Sequence, residues 1–532
     1  MKTSTLIFKV SLIFALVAVF LLQVVAQRVG DGHAPCSKED MAALLSFKSS
    51  ILEDGTGILS SWAGNDCCSG WEGVSCDLSR GKVVELKLEM PASGYGPRPL
   101  FMRGTLSPAL GSLKSLQILQ ISGAKKLGGA IPESFSGLSS LVELILDDNL
   151  LSGSIPSGLG RLASLAVLSL SGNKLTGQLP PSLGYLKLAQ VNLAGNLLAG
   201  PVPSTFGNLK ALEFLDLSHN QLSGGVPSFM GGYQNLTNLD LSYNQFSGAI
   251  PSSLCRLSVA MEISLDSNKL TGQIPTQIGD LQNLRSLSVS NNLLSGSIPY
   301  SLGKLKKLWR VNLSGNRLSG PVPREVQNGL PVLQSLHLSH NDFQLQTIPD
   351  WIRRRELREV HLAGCNIRSS LEPFAFPGTI DQLDLSDNYL TGEIGDFFTN
   401  MSVLQTLDLH SNQLAGNQIS GGIPSSIWKL KSLQRLDLSR NRIEGGIPAS
   451  LGQITTLEWL DISNNMINGS IPSTFSSLVK IKHVSFRANR LCGQVPQSRP
   501  FNIFPPAAYA HNLCLCGRPL PPCEKPRLNC NK

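Results

Sequence analysis

The chain has 532 residues, of which 42% are hydrophobic and 15% charged, and it contains 50 Gly and 32 Pro. Globular proteins usually carry about a quarter of charged residues, so this sequence is poor in charge and rich in turn-forming residues. Its net charge is +8, and the basic residues are spread along the chain. This distribution excludes the clustered basic face of a nucleic-acid-binding protein.

The first segment has the features of a secretory signal peptide. Lys2 and Lys9 precede an apolar run over residues 10–25, and small residues precede Gln27. We predict that residues 1–26 are a signal peptide. The alternative is a membrane anchor, but the run is near the lower length limit for a bilayer span. The sequence therefore predicts a secreted protein of the extracellular space or cell wall, with no membrane span in the mature chain.

An asparagine recurs with a fixed period and defines an internal repeat. The segment Leu212–Pro227 follows the pattern LxxLxLxxNxLxGxIP, which is the leucine-rich repeat in a form of about 24 residues. The aligned residues are Asn149, Asn173, Asn196, Asn220, Asn244, Asn268, Asn292, Asn316, Asn341, Cys365, Asn388, Asn412, Asn441, Asn465 and Asn489. We predict an α/β solenoid in which residues 81–495 form about 16–17 units.

Each position of the repeat has a physical role. The LxL stretch predicts a short strand with alternate residues pointing inward, and stacked units form one parallel, concave sheet. The asparagine amide both donates and accepts, so it satisfies backbone groups where the chain turns. Gly224 suits a positive φ, and the following Val226-Pro227 favours an extended segment. A single unit cannot bury its leucines, so stability comes from neighbouring units.

Four irregularities interrupt the period. Ala124 replaces an asparagine, and residues 92–103 lengthen an early unit that begins at Val83. Residues 417–422 contain about five extra residues, and residues 368–377 lack the usual glycine and proline flank. Such irregularities mark a binding site or a tolerated insertion on an exposed loop. The sequence leaves both interpretations open.

Most of the 11 cysteines lie at the two ends of the repeat array. A solenoid exposes its core at both ends, and disulfides stabilise small caps outside the cell. We therefore predict an N-terminal cap over residues 27–80 and a C-terminal cap over residues 496–532. Spacing leaves the pairing open, and zinc is an alternative that lacks the usual paired spacing. The cap cysteines are Cys36, Cys67, Cys68, Cys76, Cys492, Cys514, Cys516 and Cys523, with Cys530 left over.

Both ends resemble known plant proteins. Residues 36–76 are similar to the plant-type N-terminal cap, and residues 489–523 resemble the C-terminal cap of secreted polygalacturonase-inhibitor-like proteins, some of whose relatives carry a DNA-damage-toleration name. The resemblance extends to the ectodomains of plant receptor kinases and receptor-like proteins. It implies a plant-type leucine-rich-repeat superhelix with disulfide-bonded caps. The pairing it implies is Cys36–Cys67, Cys68–Cys76, Cys492–Cys514 and Cys516–Cys523.

The concave face is the predicted ligand-binding surface. Trp309 and Arg310 precede the strand of Asn312. The next repeat adds two histidines, and the one after it adds an arginine and a histidine. Exposed Trp, Arg and His side chains on a rigid scaffold are typical of binding hot spots. The alternative is a solvated scaffold, and a metal shared by two histidines would lack an evident third ligand. The predicted ligand-binding residues are Trp309, Arg310, His337, His340, Arg358 and His361.

Four sequons predict N-glycosylation. The acceptor residues are Asn235, Asn312, Asn400 and Asn468. Asn312 lies in the concave column beside the predicted patch. A glycan on Asn312 would obstruct a ligand there, so the two predictions exclude each other at this position.

The sequence favours a binding protein over an enzyme. It has no nucleophile elbow, phosphate-binding loop or His-Glu-x-x-His motif, and we predict no cofactor. The predicted function is extracellular recognition of a protein, peptide or glycan in the plant cell wall, with inhibition of microbial wall-degrading enzymes in defence as the specific role. The alternative is a soluble receptor-like sensing component that signals through a kinase-bearing co-receptor, with a receptor-kinase ectodomain as its partner.

Overall fold

Each repeat of the protein, in a computed structural model, contributes one short strand to a continuous concave sheet. The structure describes residues 34–90, 100–371, 376–392, 394, 400–412 and 422–523. The predicted signal peptide, residues 417–421 of the inserted segment 417–422, and Cys530 lie outside these residues, as do residues 92–99 and 372–375 of two other irregular segments. The concave strands are Val74–Asp77, Lys82–Glu89, Ile118–Ser122, Glu143–Ile145, Val167–Ser169, Gln190–Asn192, Phe214–Asp216, Asn238–Asp240, Glu262–Ser264, Ser286–Ser288, Arg310–Asn312, Ser335–His337, Glu359–His361, Gln382–Asp384, Thr406–Asp408, Arg435–Asp437, Trp459–Asp461 and His483–Ser485.

The concave sheet is parallel apart from its first strand. Val74–Asp77 pairs antiparallel with Lys82–Glu89, and each later strand pairs in register with the strand of the next repeat. Among the described residues the sheet stays open, because its two end strands each pair on one side. The predicted parallel, concave solenoid is confirmed.

A second sheet lies behind the first over the N-terminal and central repeats. It forms where the glycine and proline flank of each unit is extended, as predicted, and Gly224 has φ +83°. The strands are Ile51–Asp54, Met102–Thr105, Lys125–Gly129, Leu150–Ser154, Lys174–Gly177, Leu197–Gly200, Gln221–Gly225, Gln245–Ala249, Lys269–Gly272, Leu293–Gly296 and Arg317–Leu318. A smaller sheet near the C-terminal end contains Asn468–Gly469, Arg490–Gln494 and Cys514–Cys516.

The helical flank of the solenoid consists mainly of 3-10 helices. Only three α-helices occur among the described residues: α1 (Lys38–Ser50), α2 (Arg324–Gly329) and α3 (Asp350–Arg353). In the repeats, the proline that ends the flank also lies at the start of the 3-10 helix, since its fixed φ suits the first turn. Ile58–Ser61 in the N-terminal cap instead follows Gly57. The 3-10 helices are Ile58–Ser61, Pro108–Ser112, Glu133–Gly137, Ser157–Arg161, Pro181–Tyr185, Ser204–Asn208, Ser228–Gly232, Ser252–Arg256, Thr276–Asp280, Tyr300–Lys304, Ser425–Lys429, Ala449–Gln453, Ser473–Ser477 and Pro506–Tyr509.

The repeated asparagines form a buried ladder that joins neighbouring units. The Asn220 amide nitrogen donates to the backbone oxygens of Leu193, Leu217 and Ser218, and its oxygen accepts from the Leu198 amide at 3.0 Å. Each such side chain therefore satisfies backbone groups of two repeats. Cys365 keeps only weak thiol contacts to the Leu338 and Ala363 oxygens, at 3.5 and 3.6 Å.

Disulfides hold both caps. At the N-terminal end, α1 begins at the side-chain cap Ser37, and Trp62 stacks on Trp71 at 5.4 Å between ring centroids. At the C-terminal end Asn512, which the sequence alignment omitted, adds one more ladder position by bonding to Phe486 and Leu491. Four disulfides join Cys36 to Cys67, Cys68 to Cys76, Cys492 to Cys514 and Cys516 to Cys523. These thiols are thus engaged in the pairs that the resemblance implies, which removes the basis for a zinc site there.

Candidate functional site

The concave face presents two exposed columns of side chains from each three-residue strand. In Arg310–Asn312 the central Val311 is buried, while both flanking residues are half-buried. The register aligns Arg310 with Ser335 and Glu359 in one column. A second column aligns the third residues of successive strands, including His337 and His361. Side chains that lie 22–25 residues apart in sequence are therefore neighbours.

Five of the six predicted ligand-binding residues lie on adjoining strands. Trp309 and Arg358 occupy the position just before their strands, along one edge of the sheet. Arg310 is the first residue of its strand, so the expectation that it precedes the strand was wrong by one position. His337 and His361 end their strands one repeat apart. We call Trp309, Arg310, His337, Arg358, Glu359 and His361 the concave patch.

His340 lies apart from the concave patch, at the opposite edge of the sheet. It is the residue before the ladder residue Asn341 and has φ +54°. Equivalent residues such as His219 and Tyr243 share this left-handed conformation. The position is therefore dictated by the turn, and sequence spacing alone did not separate it from the patch.

The two histidines of the patch are held by carboxylates. Their rings stack at 4.1 Å between centroids. His337 Nε2 lies 3.2 Å from Glu359 Oε2, and the Ser335 hydroxyl donates to the same oxygen at 2.6 Å. His361 Nδ1 lies 3.7 Å from an Asp384 oxygen. Glu359 was missed by sequence analysis, although the same repeat alignment places it beside His337.

Burial and hydrogen bonds set the charge of this network. Burial lowers the pKa of His337, so its imidazole is neutral at neutral pH. The neutral ring still donates one N–H, and the hydrogen bond from His337 holds the pKa of Glu359 down to about 2. Burial raises the pKa of Asp384, but hydrogen bonds from His361 and Ser386 outweigh it and the net pKa is lowered. Both carboxylates are therefore ionised and available as hydrogen-bond acceptors.

A second group of planar side chains, all half-buried, lies nearer the C-terminal end. Arg435, Trp459 and His483 occupy the first position of three successive strands. The guanidinium carbon of Arg435 lies 4.6 Å from the Trp459 ring centroid, and Trp459 stacks on His483 at 3.6 Å. We call these residues the C-terminal stack. Sequence analysis missed it, and aligning the first strand positions would have revealed it.

Asp408, His410 and Asp437 lie close enough together to resemble a metal site. However, His410 Nδ1 is 2.6 Å from Asp408 Oδ1. The hydrogen bond to Asp408 raises the pKa of His410 to about 9. A protonated imidazole offers no lone pair to a metal, so an ion-pair network explains this cluster better.

Buried thiols give no sign of a nucleophile. Cys255 and Cys365 are free and buried. Burial raises the pKa of Cys255 to about 11 and that of Cys365 to about 12. Reactive cysteines have lowered pKa values, so these two residues act as core side chains.

The sequons lie on different surfaces. Asn235, Asn400 and Asn468 are exposed and lie outside the concave columns. The Asn312 oxygen accepts from the Ser314 amide at 3.1 Å and from its hydroxyl at 2.6 Å, within the concave face. Glycosylation of all four residues stays a prediction.

The fold and the repeats define the class of protein. Family models described as leucine rich repeat match residues 110–175, 186–246, 258–318, 378–443 and 431–491, and a further repeat model matches residues 332–354. A leucine rich repeat N-terminal domain model matches residues 37–77. The chain belongs to the leucine-rich repeat family.

Similar proteins are plant leucine-rich-repeat proteins. The DNA damage-repair/toleration protein DRT100 of Arabidopsis thaliana is 36% identical over 119 residues, which is 21% of this chain and 32% of the relative. The chain thus matches about a third of that relative's length.

Two solved receptor ectodomains share the fold. The ectodomain of the Arabidopsis thaliana receptor kinase GASSHO1/SCHENGEN3, in complex with CASPARIAN STRIP INTEGRITY FACTOR 2, has a TM-score of 0.71 and 28% identity over 86% of this chain and 56% of that chain. The Arabidopsis receptor kinase HAESA, in complex with the peptide hormone IDA and the co-receptor SERK1, has a TM-score of 0.54 and 28% identity over 87% of each chain. These likenesses and the disulfides indicate an extracellular domain. No described helix is long and apolar enough to cross a membrane.

Proposed function

We propose that the protein recognises an extended peptide outside the cell and that this peptide lies along the concave face. The observation that carries the proposal is the continuous strip from the concave patch to the C-terminal stack. It crosses eight strands, from Arg310–Asn312 to His483–Ser485. Strands ~4.8 Å apart make this strip ~34 Å long, which suits about ten residues of extended chain.

The chemistry of the strip supports a peptide ligand. Trp309 and the C-terminal stack offer aromatic surfaces near its two ends, and Arg310, Glu359 and Asp384 offer charged groups between them. Aromatic and arginine anchors provide most of the energy in recognition surfaces. Receptor ectodomains of the same fold have been solved with peptide hormones bound, which supports this ligand class for the present chain.

Two variants of the secreted protein would test the proposal. Peptides captured from plant extracellular fluid would be identified by mass spectrometry, synthesised and titrated by calorimetry. Trp459→Ala should weaken peptide binding by a factor of about 30, equivalent to ~2 kcal/mol. Tyr185→Ala removes an aromatic side chain that is 70% exposed on the helical flank, and it should leave binding unchanged.

The outcome also bears on the alternative roles. Equal weakening by both variants, or no captured peptide, would contradict peptide recognition on the concave face. A co-receptor that is captured only when peptide is present would favour the sensing role. The solved complex of HAESA with IDA and the co-receptor SERK1 is the reason for including this experiment. Inhibition of a microbial wall-degrading enzyme stays a prediction, tested by the loss of hydrolase activity on adding the protein.

A further inference from the structure

Successive 3-10 helices on the flank pack unusually close. A Cβ added to Gly279 would lie 2.4 Å from the Ser301 oxygen, and one added to Gly111 would lie 2.3 Å from the Ser134 oxygen. The Ser301 hydroxyl also donates to the Thr276 oxygen of the preceding repeat at 2.6 Å. Gly279, four positions after Pro275, and Ser301, two positions after Pro299, therefore allow their two helices to approach closely.

The close packing ends at α3. Counting from Pro323, Gln327 of α2 stands where the glycine is expected, and counting from Pro349, Trp351 of α3 stands where the small hydroxyl residue is expected. These two large side chains prevent the usual approach of α3 to α2. Arg355 compensates in part, because its guanidinium donates to the Leu330 and Gln327 oxygens near the end of α2. The flank consequently opens beside α3.

The opening consists of two adjoining cavities with volumes of about 640 and 400 Å³. Gln334 and Glu356 line both of them, so the two form one continuous depression on the flank. We call it the flank groove and define it by Asn328, Gln334, Trp351, Glu356, Asp381 and Gln405. It borders Arg358 of the concave patch but lies outside the two concave columns.

The groove wall is polar and carries no net charge. The lining carboxylates of Asp350, Glu356 and Asp381 balance the lining guanidinium groups of Arg354, Arg355 and Arg358. A groove of this kind does not select a polyanion or a polycation, because neither would gain net Coulomb energy. A neutral ligand that forms many hydrogen bonds fits it better.

Several wall side chains have unused hydrogen-bonding capacity. Asn328, Gln334, Glu356 and Gln405 are exposed, and their side chains have no hydrogen-bond partner among the described residues. Three amides and one carboxylate offer both donors and acceptors. The nearby Val332 and Val403 add exposed apolar surface. This combination matches the hydroxyl groups and C–H faces of sugars.

Two buried polar atoms of the wall also lack partners in the described chain. Asp381 is only 7% exposed; one of its oxygens receives Arg358 Nε at 2.9 Å, while the other has no partner. Trp351 is 8% exposed, and its indole N–H has none either. A hydroxyl group both donates to a carboxylate and accepts from an indole N–H. The unmet groups thus require the same complementary chemistry as the open wall.

We propose that the flank groove binds a neutral oligosaccharide. Its amides and the Glu356 carboxylate hydrogen-bond to sugar hydroxyls, and Val332 and Val403 pack on the sugar rings. This site adjoins the strip proposed to bind peptide at Arg358 but lies outside the two concave columns, so the protein joins a glycan on its flank and a peptide on its concave face. Either site can fail its own test without affecting the other.

The test is calorimetric titration of the secreted protein with cellohexaose, xylohexaose and mannohexaose. An acidic hexagalacturonate serves as the charged comparison. The Asn400 backbone borders the groove at Gly378, so the protein is titrated before and after enzymatic removal of N-glycans. Saturable binding of a neutral hexaose in either form, stronger than that of the acidic one, supports the proposal.

Matched variants locate the binding. Gln334→Ala combined with Glu356→Ala should weaken neutral-hexaose binding at least tenfold, since both residues line both cavities. Glu213→Ala alters an exposed residue at the Gln334 position of a closely packed repeat, and it should have no effect. Thermal unfolding of each variant reports whether the fold is retained. The proposal would be overturned if no neutral hexaose bound, or if the acidic hexaose bound more strongly. It would also be overturned if the Gln334→Ala, Glu356→Ala double variant bound a neutral hexaose as tightly as the wild type.

Discussion

Asn220 links the turns of two neighbouring repeats with one side chain, and its oxygen is the hydrogen-bond partner of the Leu198 amide. Its three donated bonds and one accepted bond link the turns of two neighbouring repeats. The residue is buried, so water cannot replace these bonds. A buried polar group without a partner costs about 1–3 kcal/mol.

Replacing this asparagine should therefore destabilise the protein strongly. We expect Asn220→Ala to lower the free energy of unfolding by about 3 kcal/mol, because the buried Leu198 amide loses its partner and three backbone oxygens each lose one of their two hydrogen bonds. Asn208→Ala, at an exposed flank position, should change it by less than about 0.5 kcal/mol. Urea unfolding and hydrogen exchange at the Leu198 amide measure both effects. Equal stabilities of the two variants would contradict the ladder's role.

His410 gives the protein a pH dependence at the alkaline side of neutrality. The hydrogen bond to Asp408, with the nearby Asp387 and Asp437 charges, raises the pKa of His410 from 6.5 to about 9 in the folded state. A raised pKa means that the protonated ring stabilises the fold. That stabilisation is complete below pH ~6.5 and is lost as the pH rises through about 9.

His410→Gln should remove this alkaline loss of stability. The effect should be on the order of 1 kcal/mol, because the side chain is 30% exposed and solvent screens the ion pair. Thermal unfolding at pH 6.5 and 9.5 should show a smaller difference for the variant than for the wild type. His219→Gln, a histidine with no carboxylate within ion-pair distance among the described residues, should keep the wild-type difference. An identical pH response of His410→Gln would rule out this network.

At the scale of secondary-structure elements, the flank depends on contact between successive 3-10 helices. Gly279 has an ordinary backbone conformation, so its absent Cβ matters only for space. A methyl group there would meet the Ser301 backbone oxygen, which cannot move without displacing its helix. Gly225 also has ordinary φ, but the nearest atom to its added Cβ is 3.7 Å away.

The two glycines provide a matched comparison of packing. Gly279→Ala should destabilise the protein by about 2 kcal/mol, the usual cost of overpacking. Gly225→Ala should have little effect because its methyl group makes only ordinary contacts. Urea unfolding of both variants measures the difference. A Gly279→Ala protein as stable as Gly225→Ala would show that the helices separate without cost.

The sequence predicted the repeating elements well because each unit carries its own complete signal. The leucine spacing, the asparagine and the glycine–proline flank placed the concave strands and the turns correctly. It did not predict the opening at α3. Gln327 and Trp351 are compatible with a helix when considered alone, and their effect arises because they face each other across two neighbouring units.

The residues of the candidate site likewise fall into two groups: those that sequence analysis selected and those that only the structure brought to attention. Sequence analysis selected Trp309 and Arg358 because Trp and Arg are residue types that are typical of binding hot spots. Glu359 and Trp459 were missed, since their importance depends on the cross-strand register and not on residue type. His340 was grouped with the patch although the turn places it at the other edge of the sheet. Which side chains of different repeats lie close together could therefore be identified only from the structure.

At the scale of the whole molecule, a solenoid is held together by nearest neighbours only. Its stability is approximately a sum of repeat and interface contributions. The two caps stand at opposite ends, and each is closed by its own pair of disulfides. Damage to one cap should therefore spread inward from that end and leave the other end folded.

Removal of one disulfide at each end tests this independence. Cys36→Ser with Cys67→Ser should cost about 2–4 kcal/mol locally and increase hydrogen exchange in α1 and in Lys82–Glu89. Exchange in Trp459–Asp461 and His483–Ser485 should stay slow, because no contact links them to the N-terminal cap except through the intervening repeats. Cys492→Ser with Cys514→Ser should give the reverse pattern. A uniform increase along the chain in either variant would show all-or-none unfolding, and the strip that we propose to bind peptide would then lose its shape together with either cap.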